Sequence, residues 1–282
     1  MSSSVVVTGA NRGIGLATVL ELAGAGYDVI GTARSEDKAR AMLAAAEAKG
    51  LAVRAVLLDV ADTAATERGF AEIAELTGGG PWAVVNNAGF AQAGAIEDVD
   101  AAEIRAQLEV SLVAPARIVR LVLPAMRKRG DGRIVNLSSL AGRVSLPLMG
   151  WYCAAKHGLE AMTDALRMEV AGFGVKVVLI EPGSIATGIW AGARYPDHAG
   201  TGDYADAYQH ARGATTRLTA FMPDPSWVAR TVHLALASPL PLSRYPVGVD
   251  AFAGVAADLL VPTAISDVVK EVVAGLRRPL RR

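Results

Sequence analysis

Three polar side chains near the middle of the chain have the types and spacing of a proton-transfer site. Ser139 precedes Tyr152 by thirteen positions, and Lys156 follows the tyrosine by four within YCAAK. Positions i and i+4 lie on one face of a helix, roughly 6 Å apart along its axis. A cation beside a phenol favours the phenolate, so we expect Lys156 to lower the pKa of Tyr152. Such a phenol can exchange a proton near neutral pH.

A glycine-rich turn joins the first predicted strand to the first predicted helix. The strand Val5–Val7 leads into TGANRGIG, with Gly9, Gly13 and Gly15 before the helix. Glycines at these points permit a tight turn, a close approach of a pyrophosphate and close packing of the helix on its strand. The free N–H groups at the helix start favour that anion. The other candidate cofactor contacts in this turn are Asn11, Arg12 and Ile14.

The end of the second predicted strand indicates which dinucleotide binds. An NAD enzyme needs a carboxylate there to bond the 2′-hydroxyl of the ribose, but this chain has Ala33 followed by Arg34. With Arg12 in the glycine turn, two guanidinium groups and no carboxylate suit a 2′-phosphate. We therefore predict NADP(H) rather than NAD(H) as cofactor. The alternative is that Arg34 only begins a solvated helix, with Glu36 close by.

Short β-branched runs alternate with longer amphipathic stretches, which predicts an α/β fold with one doubly wound parallel sheet and helices on both faces. No linker divides the chain, so residues 1–282 are expected to form one domain. The stretch 186–223 lacks periodicity and is expected to be an irregular substrate loop. The predicted strands are Val5–Val7, Asp28–Thr32, Val53–Leu58, Ala83–Val85, Ile134–Leu137, Val175–Ile180 and Tyr245–Val249. The predicted helices are Ile14–Ala25, Glu36–Lys49, Thr63–Leu76, Ala101–Lys128, Tyr152–Phe173, Pro225–Ala237 with Asp224 as N-cap, and Ile265–Ala274.

The composition argues against several classes of protein. Twenty-eight basic residues balance 28 acidic ones, so the overall charge gives no attraction to nucleic acid. No apolar run reaches the roughly 18 residues of a membrane helix. A lone cysteine, Cys153, allows neither an internal disulfide nor a cysteine metal cluster, and we expect a cytoplasmic protein without a metal site. A small basic run is interpreted as a solvated end: Arg277, Arg278, Arg281 and Arg282.

Several motifs in a fixed order resemble those of the short-chain dehydrogenase/reductase family. They are TGANRGIG at 8–15, Asp59-Val60, NNAG at 86–89, NLSS at 136–139, YCAAK at 152–156 and PGSIAT at 182–187, and they span about two thirds of the chain. The segment 133–162 is similar to the hydroxysteroid and retinol dehydrogenase branch. The resemblance implies a Rossmann-type fold and an NADP(H)-dependent ketoreductase or alcohol dehydrogenase. It also implies a homodimer or homotetramer with contacts around 101–128 and 152–173.

The resemblance assigns a role to each matching position. It makes Tyr152 the general acid for carbonyl reduction and Lys156 the residue that tunes this tyrosine and holds the nicotinamide ribose. It makes Ser139 the residue that hydrogen-bonds the substrate oxygen, with Ser138 as the alternative. Hydride transfer itself is the chemistry of the cofactor. The remaining implied cofactor contacts are Asp59 and Val60 at the adenine, Asn86, Ala88 and Gly89 beside the ribose, and Pro182, Gly183, Ile185 and Thr187 at the nicotinamide.

One position departs from the family pattern. The family usually has an asparagine on the long central helix, where this chain has Ser111 in EVSLVAP. That asparagine holds a water of the proton relay, largely through its backbone carbonyl. Pro115 has no N–H, so the carbonyl of Ser111 loses its usual helical donor. We expect this carbonyl to keep the relay water, and Ser111 is therefore counted with the catalytic candidates.

The candidate substrate contacts are mostly apolar, which favours a bulky hydrophobic ketone or secondary alcohol. They are Val144, Leu146, Met149, Ile189, Trp190, Tyr195 and Phe221, although several could simply pack the core. Two other functions stay open. One is redox-neutral chemistry, such as epimerisation or dehydration with the same cofactor, which the changed Ser111 keeps open. The other is a non-catalytic NADP(H)-binding regulator, which the intact Ser139, Tyr152 and Lys156 argue against.

Overall fold

The structure is a computed structural model that describes residues 3–190, 192–218 and 222–276. Its strands are β1 Ser4–Val7, β2 Asp28–Ala33, β3 Val53–Leu57, β4 Ala83–Asn86, β5 Gly132–Leu137, β6 Val175–Pro182 and β7 Arg244–Val247. They form one sheet in the order β3-β2-β1-β4-β5-β6-β7, and every neighbouring pair is parallel. The predicted doubly wound parallel sheet is confirmed.

Helices cover both faces of this sheet. They are α1 Gly13–Gly24, α2 Glu36–Glu47, α3 Thr63–Leu76, α4 Ala101–Leu108, α5 Ala114–Arg129, α6 Gly150–Glu169, α7 Ala205–Leu218, α8 Ser226–Ala237, α9 Val249–Leu260 and α10 Thr263–Val273. Helices α1 and α8 pack together on one face, while α3 and α5 pack together on the other. In the described residues no helix is long and apolar enough to cross a membrane.

The central strands are apolar throughout because each contributes to two cores. Val5 and Val7 of β1 belong to the core under α1 and α8, whereas Val6 belongs to the core under α3 and α5. Successive side chains of a strand point to opposite faces, so a run of three valines serves both layers. The chain passes to opposite sides of β1, with β2 beside one edge and β4 beside the other. The crevice at this switch point is where open α/β sheets bind their ligands.

The predicted single helix 101–128 is wrong. Helix α4 ends at Leu108, a π-helical turn spans Glu109–Val113, and α5 begins at Ala114. Pro115 stands at the start of α5 and cannot donate a backbone hydrogen bond. The ladder therefore shifts by one residue in the preceding turn, which also places Ser111 in the π-helical segment.

The predicted irregular stretch 186–223 contains α7, and α9 was missed altogether. Helix α7 is anchored by Tyr208, whose hydroxyl donates to Asp98 Oδ2 at 2.5 Å and accepts from the Ala95 N–H at 2.8 Å. These partners are more than one hundred positions away, so local periodicity gives no sign of them. Phe221 and the four arginines at 277–282 lie outside the described residues.

Smaller differences concern helix ends. Helix α8 begins at Ser226, and its N-cap is Pro225 rather than the predicted Asp224. Asp224 still accepts a hydrogen bond at its Oδ1 from the Ser226 N–H, at 2.8 Å. Helix α6 starts two residues before Tyr152 and ends at Glu169, and a 3-10 turn covers Ala171–Phe173. Helix ends fray and tighten in this way, so boundaries are the least predictable part of an element.

Candidate active site

The glycine turn after β1 has the shape of a cradle for a phosphate. Gly9 and Gly13 have φ of 64° and 54°, in the left-handed region that favours glycine. A Cβ on Gly9 would lie 2.9 Å from the Cα of Ala88, and one on Gly13 would lie 3.2 Å from the Cβ of Thr187. Side chains there would fill the space between the turn and these facing segments. The residues present therefore fit a pyrophosphate lying against the start of α1.

The NNAG segment is tied to this turn by hydrogen bonds. Asn87 Nδ2 donates to the carbonyls of Thr8 and Gly9 at 2.8 and 3.3 Å. Thr8 Oγ1 accepts from the N–H groups of Asn87 and Ala88, both at 3.0 Å. The parallel pairing of β1 with β4 brings these two strand ends together. The bonds fix the two walls of the crevice relative to each other.

A cavity of about 450 Å³ opens along the carboxyl ends of the strands. It collects nearly all the residues that the sequence predicts for the site. Those that line it are Gly9, Asn11, Arg12, Gly13, Ile14, Gly15, Arg34, Asp59, Val60, Ala88, Gly89, Ser139, Tyr152, Lys156, Pro182, Gly183, Ile185 and Thr187.

Two predicted site residues do not line the cavity. Asn86 is buried and its Nδ2 donates to Asn136 Oδ1 at 2.8 Å, so its neighbour Asn87 faces the cavity instead. Ser111 is 1% exposed, and its hydroxyl accepts from Gln107 Nε2 at 2.7 Å. The side chains of Asn86 and Ser111 therefore stabilise the surrounding structure.

The end of the cavity near β2 is basic. Arg12 and Arg34 both line it, and in the described residues neither forms a salt bridge. The nearby Glu36 and Asp37 pair with Arg40 on the exposed side of α2. These carboxylates are thus occupied by another arginine, and the two cavity arginines remain available to an anion.

Helix α6 presents the tyrosine and the lysine to the opposite end of the cavity. Tyr152 is 4% exposed and its phenol is hydrogen-bonded to the Ser139 side chain. Ser139 Oγ also accepts from the Ala141 N–H at 3.1 Å. Lys156 Nζ donates to the carbonyl of Leu137 at 2.7 Å and lies 5.9 Å from the centroid of the Tyr152 ring. The three predicted side chains therefore meet at one point of the cavity wall.

The expectation that Tyr152 has a lowered pKa is wrong in this structure. Burial raises the pKa of its phenol to about 12, although the Ser139 hydrogen bond acts in the opposite direction. Burial likewise lowers the pKa of Lys156 to about 8, against the opposing charge of Glu160. Both shifts follow from the cost of placing a charge away from water. At neutral pH the phenol is therefore protonated.

The apolar wall next to the phenol is formed by the segment after β6. Ile189 and Trp190 line the cavity, as the sequence predicts. Three other predicted pocket residues do not line the cavity, namely Val144, Leu146 and Met149. Leu146 and Met149 instead pack against the buried cluster that contains Tyr152. Tyr195 is also outside it, because its ring packs edge-on against Tyr208.

Several cavity residues were missed by the sequence reasoning. Asn87 and Leu137 lie inside the motifs NNAG and NLSS, so the motifs themselves contained that signal. Ser138, the predicted alternative to Ser139, also lines the cavity. No sequence motif marks Phe90 and Arg194 as cavity residues. An isolated β-bridge between Gln92 and Arg194 brings the two segments together, and the Arg194 guanidinium lies 4.0 Å from the centroid of the Phe90 ring. The other missed lining residues are Thr32, Ala33, Leu58, Ala61, Ala106, Glu109, Val110 and Gly192. Within the described part of the chain, no group of three His, Cys, Asp or Glu residues could hold a metal ion.

The sequence has clear relatives. The profile of a family described as short chain dehydrogenase matches residues 3–197. YbbO, an uncharacterized oxidoreductase of Escherichia coli K12, is 33% identical over 267 residues, which cover 95% of this chain and 93% of YbbO. The NADPH-dependent 3-dehydrocapnine reductase of Ornithobacterium rhinotracheale is 31% identical over 272 residues, which cover 93% of this chain and 94% of that reductase.

Solved structures with the same fold match over most of their length. A short-chain dehydrogenase from Streptomyces avermitilis superimposes with a TM-score of 0.81 at 32% identity and covers 97% of both chains. A metagenomic short-chain oxidoreductase in complex with NADP gives a TM-score of 0.70 at 28% identity, over 88% of this chain and 97% of the other.

Proposed function

Because the chain belongs to the short-chain dehydrogenase family, we propose that it is an NADP(H)-dependent ketoreductase or alcohol dehydrogenase. Its substrate would be a hydrophobic ketone or the corresponding secondary alcohol. The observation that carries this proposal is the meeting of Ser139, Tyr152 and Lys156 in the wall of a cavity that begins at the glycine turn. We take residues 1–282 as one catalytic domain.

The cofactor residues divide into a phosphate end and a nicotinamide end. The glycine turn would hold the pyrophosphate, and Arg12 and Arg34 would bind a 2′-phosphate as paired guanidinium groups. Asp59 and Val60 would flank the adenine, with Ala88 and Gly89 beside the ribose. Pro182, Gly183, Ile185 and Thr187 would hold the nicotinamide end. When bound, NADPH supplies the hydride. The NADPH dependence of the 3-dehydrocapnine reductase and the NADP complex of the metagenomic relative support this choice of cofactor.

The protein would supply the proton. A phenol with a pKa of about 12 is protonated at neutral pH, so Tyr152 is ready to donate to a carbonyl oxygen. Ser139 shares a hydrogen bond with the phenol and would donate to the same substrate oxygen. Lys156 lies 5.9 Å from the ring and would hold the ribose of the cofactor. Reduction is the direction that this protonation state favours.

The apolar wall supports a hydrophobic substrate. Trp190 packs against Tyr152, and Ile189 lines the cavity next to it. A carbonyl carbon placed near the phenol would carry its apolar substituents against these two side chains. Closing the site with apolar groups also excludes water from the reacting atoms.

The test is incubation of the protein with NADPH and a panel of hydrophobic ketones. Oxidation of NADPH with formation of the alcohol supports the proposal. Product without net oxidation would instead show a redox-neutral epimerase or dehydratase. Tight binding of NADPH without any product would show a regulator, and would overturn the proposed enzyme.

We further propose a homodimer or homotetramer in the cytoplasm. The segments expected to form its contacts, 101–128 and 152–173, carry exposed apolar side chains at Val113, Leu121, Met168 and Phe173. Exposed apolar groups on neighbouring helices are typical of an interface between subunits. Size-exclusion chromatography with light scattering measures the assembly, and a monomer at micromolar concentration would contradict it.

A further inference from the structure

Two buried carboxylates lie behind the active site and have no part in the chemistry proposed above. Glu160 is 5% exposed and Glu181 is 1% exposed. Carboxylates so far from water need partners, because an uncompensated buried charge is costly. The groups that face them show which residue of the active site they act on.

Helix α6 places Glu160 one turn beyond Lys156. Tyr152, Lys156 and Glu160 follow at intervals of four residues, so all three share one face of the helix. The backbone positions of Lys156 and Glu160 are therefore about 6 Å apart along the axis. The charge of Glu160 raises the pKa of Lys156 and partly opposes the larger effect of burial.

Arg244 of β7 holds this carboxylate in place. Its Nε lies 3.1 Å from Glu160 Oε2 and 3.1 Å from Glu181 Oε1, so one N–H lies between two acids. Arg143 Nη1 lies 3.4 Å from the same oxygen of Glu181. Asp164, the next acid along α6, accepts from Arg244 Nη2 at 2.5 Å.

The acids of this cluster are not equivalent. Burial and the charge of Glu160 raise the pKa of Glu181 to about 6. When the pH falls through that value, Glu181 becomes protonated, and its contacts with Arg244 and Arg143 lose the carboxylate charge.

The second oxygen of Glu160 lies close to Gly142. Glu160 Oε1 is buried and has no hydrogen-bond partner among the described residues. A Cβ built on Gly142 would lie 3.3 Å from this oxygen and 2.5 Å from Ser138 Oγ, which is also buried without a partner. Ser138 lines the cavity. A glycine at 142 therefore leaves room for the side chains of both Ser138 and Glu160.

We propose that Glu160 is a positioning residue that acts through Lys156. Its carboxylate, clamped by Arg244, stabilises the buried ammonium and so keeps the lysine charged and extended towards the cavity. The groups that face Glu160 are Lys156 and Asp164 on α6, Glu181 on β6, Arg244 on β7 and Arg143 after the 3-10 turn 140–142. The role of the ammonium rests on the proposed function, but its charge does not.

The test is a titration of Lys156 in the protein alone, which needs no substrate. The chain has six lysines, so a protein labelled with ¹³C at the lysine Cε gives few NMR signals, and Lys156→Arg assigns the one of interest. In Glu160→Gln we expect the titration of Lys156 to move down by about one pH unit, as expected from loss of a nearby charge. Asp164→Asn is the matched control. It also removes a carboxylate that pairs with Arg244, but Asp164 lies two helical turns from Lys156, so the titration of Lys156 should not change.

Glu160→Asp separates charge from structure. It keeps the negative charge at a greater distance, so Lys156 should titrate between the wild type and Glu160→Gln. An unchanged titration in Glu160→Gln, with a folded protein by circular dichroism, overturns the proposal. Equal shifts in Glu160→Gln and Asp164→Asn also overturn it, because the effect would then belong to the whole cluster. Absence of turnover with ketones would refute the proposed function and leave this titration interpretable.

Discussion

The indole ring of Trp190 packs edge-on against the ring of Tyr152, with centroids 6.0 Å apart and an interplanar angle of 70°. The two residues come from separate elements, because Tyr152 belongs to α6 and Trp190 follows β6. The contact covers the phenol with apolar surface, and burial is the main cause of its raised pKa. The protonation state of the proposed acid is therefore set in part by the segment that also lines the substrate cavity.

Removal of this ring should lower the pKa of Tyr152. In Trp190→Ala water would reach the phenol, and the pKa should fall from about 12 towards the ordinary 10.0, since burial is the main cause of the rise. Spectrophotometric titration of the tyrosines measures the change, with Tyr152→Phe identifying the signal. Trp227→Ala is a suitable control because Trp227 is half exposed and lies outside the cavity lining. An unaltered Tyr152 titration would show that Trp190 does not shield the phenol.

Tyr152→Phe should greatly slow reduction without releasing the cofactor. Loss of a general acid typically lowers turnover by about a thousandfold. Binding of NADPH should stay within about fivefold, since the other cofactor residues remain and one lost hydrogen bond is worth about 1 kcal/mol. Initial-rate assays measure the turnover, and NADPH fluorescence measures the binding of the cofactor. Tyr27→Phe serves as control because Tyr27 packs against Trp82, away from the cavity. Undiminished turnover would remove Tyr152 from the mechanism.

Much of this site could be predicted because its motifs follow the strand order. The glycine turn, NNAG, NLSS and PGSIAT each come at or after the carboxyl end of a strand, and parallel strands place those ends on one edge of the sheet. YCAAK adds two side chains at helical spacing. Sequence position and a known periodicity are then enough to bring Gly9, Ser139, Tyr152 and Lys156 together.

The features that the sequence did not predict correctly depend on contacts between distant segments of the chain. The raised pKa of Tyr152 comes from burial, which no spacing within YCAAK reveals. Arg194 reaches the cavity through its bridge to Gln92. Helix α7 is held by hydrogen bonds between the Tyr208 hydroxyl and residues Asp98 and Ala95. These bonds stabilise the helix although its sequence has weak helical periodicity. Local propensity is overridden in each case by tertiary packing.

Arg34 should determine the preference for NADPH over NADH. A hydrogen bond between charged groups contributes about 1.5–3 kcal/mol, so Arg34→Ala should weaken NADPH binding about tenfold to hundredfold and leave NADH nearly unchanged. Fluorescence titration with both dinucleotides measures this. Arg40→Ala is the matched control on the same helix region, because Arg40 pairs with Glu36 and Asp37 outside the cavity. Parallel losses for both dinucleotides would show that Arg34 does not read the 2′-phosphate.

Ser111 tests whether a backbone carbonyl carries the proton relay. Among the described residues its hydroxyl is bonded by Gln107 alone, at 2.7 Å. Ser111→Ala should therefore lower the free energy of unfolding by about 1–3 kcal/mol through the unpaired buried amide, with little change in turnover. Ser111→Thr keeps the hydroxyl and is the control for that loss. Abolished turnover in a folded Ser111→Ala protein would contradict the carbonyl hypothesis. If the relay is already impaired, wild-type turnover is slow and Ser111→Asn should speed it markedly.

The two directions of the reaction should respond differently to pH. Oxidation of an alcohol needs the phenolate of Tyr152 as base, and the fraction of phenolate rises about tenfold per pH unit below the pKa of about 12. Reduction needs the protonated phenol. Because protonation of Tyr152 is already complete at neutral pH, the rate of reduction should not change with pH there. Above about pH 8 the ammonium of Lys156 loses its proton, and both rates should then decline relative to these trends. Initial rates with NADPH plus ketone and with NADP plus alcohol, measured from acid pH upwards, give both profiles. An oxidation rate that is flat between pH 6 and about pH 8 would contradict proton transfer through a phenol of high pKa.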